Sequence, residues 1–105
     1  MVTRLIDIAS VVRSKNAGPY ELTLDIIFKE RASYERVKQS GAIDRALIAR
    51  LYGVAEADIA GIVPFDPAAA IKITLKRPVV SGDVGDTDVY GAQQHAPLLG
   101  VSFPW

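Results

Sequence analysis

A chain of 105 residues, half of them hydrophobic and 23% charged, suits one folded domain spanning 1–105 and is too short for two cores. Twelve basic residues against twelve acidic ones give a formal net charge of zero, which removes the electrostatic case for nucleic acid or an anionic membrane and leaves little repulsion between subunits. The absence of cysteine excludes disulfides, thiolate catalysis and cysteine-ligated metal; an arginine early in MVTRLIDIAS and the lack of a membrane-length apolar run make the cytoplasm the expected compartment.

Val2 to Arg13 is rich in β-branched residues, and Ile6, Ile8 and Val12 fall on one side of a strand. Leu5, Ile8, Ala9 and Val12 equally follow one helical face. The strand is preferred because Ser14-Lys15-Asn16-Ala17-Gly18-Pro19 is turn chemistry and Tyr20 to Phe28 is a second β-rich run, so the two runs make a hairpin. Leu22, Leu24 and Ile26 alternate with Thr23 and Asp25, which buries one face.

Lys29 to Ser40 changes to helical character, with Ser33 able to cap, Tyr34 and Val37 facing the sheet, and Gly41 as the stop. A second helix is expected from about Asp44 to Tyr52, with the stripe Leu47, Ile48 and Leu51, ended by Gly53. Val54 to Asp58 adds a short turn. Ile59 to Phe65 and Ala70 to Lys76 read as strands joined at Asp66-Pro67. Ile71, Ile73 and Leu75 alternate cleanly, while Pro64 assigns its strand to an edge or an early end. Leu98 to Phe103 suggests a last short strand. The sum is an α+β two-layer sandwich, mainly an antiparallel sheet with helices on one face. Leu98, Leu99, Val101, Phe103 and Trp105 form an apolar tail that either packs on its own sheet or docks on a partner chain.

Between the last two strands lies the longest aperiodic run, SGDVGDTDVYGAQQHAP within about 78–97. It is expected to be an ordered loop presenting polar groups, because a compact domain rarely keeps so long an irregular segment without use. Asp83, Asp86 and Asp88 are three carboxylates on glycine-rich backbone. They suit a divalent cation, Asx-turns, or an ion pair with Arg13, Lys15 or Arg77. His95 is the natural general acid or base if the domain performs chemistry, with Asp86 as its carboxylate partner, and is otherwise a hydrogen-bonded structural group. Gln93 and Gln94 fit amide recognition, and Tyr90 is an amphipathic ring suited to an interface. Earlier in the chain, Arg13, Ser14, Lys15, Asn16 and Gly18 build a cationic turn. If its backbone amides point outward, it would hold a carboxylate or phosphate, including those of a coenzyme A ester. The plain alternative is that Asn16 and Gly18 supply turn dihedrals while Arg13 and Lys15 are solvated or pair with acids. No cofactor is required by any of these residues.

The segments RSKNAGP at Arg13 to Pro19, ELTLDIIF at Glu21 to Phe28, LYGV at Leu51 to Val54 and SGDVGDTDVYGAQQHAPLL at Ser81 to Leu99 resemble a family of small bacterial domains of unknown function. Its members are commonly encoded beside, or fused to, proteins similar to the acyclic terpene utilisation protein AtuA. The chain's opening is also similar to the ferredoxin-like C-terminal domain of AtuA-like proteins, whose first loop carries an Arg-Ser-Gly-Asp-Lys-Gly-Asp pattern. Arg13-Ser14-Lys15-Asn16-Ala17-Gly18 departs from it by lacking both aspartates, so no role of theirs carries over. The resemblance implies a ferredoxin-like fold and a small subunit that associates with itself and with a large AtuA-like chain. It further implies catabolism of a small acyl or hydroxy acid by hydratase or lyase chemistry.

Overall fold

The computed structural model describes residues 2–17, 20–76 and 96–105. Gly18 and the expected polar loop as far as residue 95 lie outside the described residues. In chain order the described elements are Thr3–Arg4 (β1), Leu5–Ile8 (α1), Ala9–Asn16 (β2), Glu21–Phe28 (β3), Arg31–Ser40 (α2), Arg45–Tyr52 (α3), Ile59–Phe65 (β4), Ala70–Lys76 (β5) and Ser102–Phe103 (β6). Short 3-10 turns precede β4, join β4 to β5 and precede β6.

Four strands form one antiparallel sheet in the order β2-β3-β5-β4. The two central strands carry the cleanest alternation, and their register sets Leu22 opposite Leu75, Leu24 opposite Ile73 and Ile26 opposite Ile71. All six side chains are buried, with Tyr34 and Val37 of α2 and Ile48 and Ala49 of α3 completing the same core. The result is the expected α+β sandwich with its helical layer on one face. Its layering is that of a ferredoxin-like sandwich, while both long helices fall between the two hairpins instead of one inside each βαβ half. β4 is an outer strand, as Pro64 requires, since proline has no amide hydrogen for a second ladder.

Helix ends follow local chemistry. The Asp44 carboxylate accepts from Leu47 N at 2.8 Å, capping α3. Gly41 and Gly53 close the two helices with φ of 66° and 65°, the left-handed conformation that glycine adopts without Cβ strain. Ser33, by contrast, is not the cap of α2. The helix starts three residues earlier, behind Glu30 and without a side-chain cap, where Arg31 and Tyr34 are both anchored on Asp66.

Three further expectations are corrected. Val2 to Arg13 is neither one strand nor one helix: a four-residue helical turn separates β1 from β2. That turn rotates Leu5 fully into the core, where Leu5 N donates to Val101 O at 2.9 Å, and leaves Ile6 exposed. Residues 14–16 are strand, not turn, and the pairing extends until Ala17 N donates to Glu21 O at 3.0 Å, so the hairpin reversal is shorter than its composition suggested. The last strand spans only two residues and pairs with β1 in a separate ladder, Thr3 opposite Phe103. Leu98, Val101 and Phe103 are buried in the chain's own core, leaving Leu99 as the exposed residue of the tail. Most of the tail therefore packs on the chain's own core.

Candidate functional site

The sheet face opposite the helices carries the side chains that alternate with the core. Register makes it a grid. One row runs Arg13, Asp25, Lys72, Val63 across β2, β3, β5 and β4; the next runs Val11, Ile27, Ala70, Phe65; a third runs Lys15, Thr23, Thr74, Gly61. Arg13 Nε bonds Asp25 Oδ2 at 3.1 Å, and Lys72 stands directly across from Asp25 on the other side. Asp25 thus sits between two cations with its side chain 17% exposed, whereas Arg13 is 60% exposed.

Beside this polar row the face is apolar. Val63 and Phe65 are 56% and 55% exposed, and with Ile27, Ala68 and Ala70 they floor a depression of about 340 Å³ whose remaining wall is Arg13, Asp25 and Lys72. An antiparallel sheet tolerates water on one face when that face is polar. Here the alternation that should deliver polar residues delivers valine, isoleucine, alanine and phenylalanine instead. A cluster of large apolar side chains left in solvent beside fixed charges is the composition of a contact surface.

Of the residues expected to bind an anion, Arg13 and Lys15 project onto this face. Ser14 and Asn16 alternate to the other side, with Ser14 buried opposite Leu24. The expected concavity of outward amides is replaced by extended strand from Arg13 to Asn16, whose ladder to β3 consumes alternate amides. Gly18, Asp83, Asp86, Asp88, Tyr90, Gln93, Gln94 and His95 lie outside the described residues. Among the described residues no three His, Cys, Asp or Glu side chains come together as a metal-holding group. Sequence reasoning passed over Asp25, Lys72, Val63 and Phe65. The signal was present in the off-beat positions of ELTLDIIF, IAGIVPF and AIKITLK, which had been read for their buried side alone.

A second polar cluster, also passed over, joins α2 to the turn after β4. The Tyr34 hydroxyl donates to Asp66 Oδ1, Lys38 Nζ reaches the same oxygen at 2.9 Å, and Arg31 Nη2 donates to the Asp66 carbonyl at 2.7 Å. Lys38 and Arg31 also stand over the Tyr34 ring at 5.6 and 6.0 Å. Burial, and then the neighbouring Asp66 carboxylate, push the Tyr34 phenol up to about 12. The hydrogen bonds from Tyr34 and then Lys38 hold the Asp66 carboxyl below the usual carboxylate range. With its hydroxyl committed and its ring buried, Tyr34 serves as a clamp between layers.

No helix among the described residues is long and apolar enough to cross a membrane. A search of curated proteins and a search of solved structures each returned no match. Residues 5–102 match the domain of unknown function DUF4387, and the chain belongs to that family.

Proposed function

We propose that this domain is an accessory subunit, or a fused accessory domain, that docks the sheet face opposite α2 and α3 on a larger AtuA-like protein. The carrying observation is the exposed apolar depression around Val63 and Phe65 beside the Arg13, Asp25 and Lys72 row. Charge narrows the partner. Among the described residues the face holds Arg13, Lys15, Lys72 and Lys76 against Asp25 and Glu21, an excess of two positive charges. A second copy laid on the same face would set cation against cation, so the complementary surface is acidic around an apolar centre. The resemblance of Arg13 to Phe28 and of Ser81 to Leu99 to AtuA-associated domains supports the identity of the large chain. The reaction served is then hydration or elimination on a small acyl or hydroxy acid.

The test is co-expression with an AtuA-like large chain, followed by capture and assay. Retention of the pair by the wild type, and its loss in Phe65→Glu and Lys72→Glu variants of unchanged melting temperature, is the expected result. Unaltered capture in both variants, or activity of the large chain that ignores this subunit, overturns the reading.

A second reading is favoured by the shared orientation of Arg13, Lys15 and Lys72: a module that binds an anionic metabolite such as a coenzyme A ester on its own. It predicts a melting shift with the ester in the absence of any partner, abolished by Lys15→Ala. Catalysis through His95 and Asp86, or a divalent cation on Asp83, Asp86 and Asp88, is a third. The catalytic form predicts turnover by the isolated domain that disappears in His95→Ala, and the cation form predicts a melting shift with a divalent ion that an aspartate substitution abolishes.

A further inference from the structure

On the opposite side of the sheet, the end of α2, the start of α3 and the edge strand β4 enclose a cleft of about 330 Å³. Its floor is apolar: Val37, Ile43 and Ile71 are buried, and Ile62 and Pro64 of β4 form one wall. Its mouth holds two cations, Lys38 and Arg45, and one acid, Asp44.

Both cations are held in place by the fold. Arg45 Nη1 donates to the carbonyl of Ile59, and Lys38 Nζ donates to Asp66 at 2.9 Å. A guanidinium has five N–H donors and an ammonium three, so each retains donors beyond its structural bond. The acids around them already accept from the fold: Asp44 takes Leu47 N, and Asp66 takes Tyr34 and Lys38. The cleft therefore offers surplus donors, fixed in advance, above a hydrocarbon floor. A ligand that meets those donors must bring an acceptor-rich head, and one that meets the floor must bring a short apolar body.

We infer that this cleft binds a small monocarboxylate with a short alkyl chain, its carboxylate between Lys38 and Arg45 and its alkyl group on Ile43, Ile62 and Ile71. The volume sits at the lower end of ligand pockets, which suits a small guest. Preordered donors remove part of the ordering cost that binding otherwise carries. The inference does not rest on docking of the opposite face: the two sites lie on different sides of the sheet and fail separately.

Three isoleucines in the cleft make methyl NMR on the full chain the natural experiment, with 3-methylbutanoate as the probe. Saturable shifts at the Ile43, Ile62 and Ile71 methyls are expected, with a dissociation constant of about 1 mM for so small a ligand. Replacing the probe by 3-methylbutanamide, which keeps the shape and removes the charge, should weaken binding about tenfold, the loss of one charge-assisted contact. Arg45→Gln should do the same, and Arg13→Ala on the far face should leave the titration unchanged. Absence of saturable shifts at the three methyls overturns the inference. So does equal affinity for acid and amide in the wild type, which holds even if Arg45→Gln does not fold. Shifts that instead centre on Ile27 and Val63 would move the acid to the other face and overturn it as well.

Discussion

Tyr34 of α2 donates its hydroxyl to Asp66, the first residue after β4, and with the bonds from Lys38 and Arg31 to the same residue it ties the helical layer to the far end of the outer hairpin. Loss of the phenolic proton breaks the Tyr34 bond. Because the folded-state pKa is raised to about 12 while an unfolded tyrosine titrates near 10, the native state holds the proton more tightly. The contribution is fully present below about pH 10 and disappears as pH rises through about 12. Urea midpoints taken across this window should fall with pH in the wild type. Tyr34→Phe should lower the stability at neutral pH by about 1 kcal/mol and flatten the fall. Part of the slope will remain, because burial raises the Tyr52 phenol as well.

The acid side of the same bond has the opposite sign. The Asp66 pKa is depressed by Tyr34 and Lys38, so its contribution is present above the ordinary carboxylate pKa and lost as pH falls through the folded-state value. Asp66→Asn should make stability less dependent on pH below about 4. The check is a pair of denaturation series, wild type and variant, whose curves converge in acid. Parallel curves would show that Asp66 is not the titrating group.

Gly41 and Gly53 end their helices at positive φ, and a Cβ added at either meets no atom within 4 Å. Alanine there is penalised by the backbone alone, at about 1 kcal/mol each. Gly100, whose surroundings are equally open and whose φ is ordinary, should accept alanine within about 0.5 kcal/mol. Chemical denaturation of the three single variants separates dihedral cost from crowding.

The two faces of the sheet should answer mutation differently. Ile73, fully buried on the central strand, should lose about 2–5 kcal/mol on truncation to alanine. Val63→Ser on the open face should stay within about 0.5 kcal/mol of wild type. If the serine variant also loses partner capture, the face acts in recognition and not in folding. A large loss of stability in Val63→Ser would instead make the valine a structural residue.

Strands whose pattern was strictly alternating could be read in advance. Ala70 to Lys76 came out with its expected bounds, because inward isoleucine and leucine against outward lysine and threonine admits one orientation only, and Ile59 to Phe65 did so because Asp66-Pro67 marks its end. The opening segment was ambiguous for a physical reason. Leu5, Ile8, Ala9 and Val12 satisfy a helix while their β-branched neighbours satisfy a strand, and the chain uses both by switching at Leu5 and again at Ala9. The decisive contact, Leu5 N to Val101 O, joins residues nearly a chain length apart and leaves no local trace. Long separation hid the Tyr34 to Asp66 clamp in the same way. Arg13 and Lys15 were found because they stand out by charge, but the row that gives them a setting exists only once Asp25 and Lys72 are brought alongside by pairing.

Thr3 lies opposite Phe103, and Arg4 opposite Ser102, so the first and last strands leave the fold side by side. Fraying of either strand therefore frees the other, and the buried Leu5, Val101 and Phe103 loosen together.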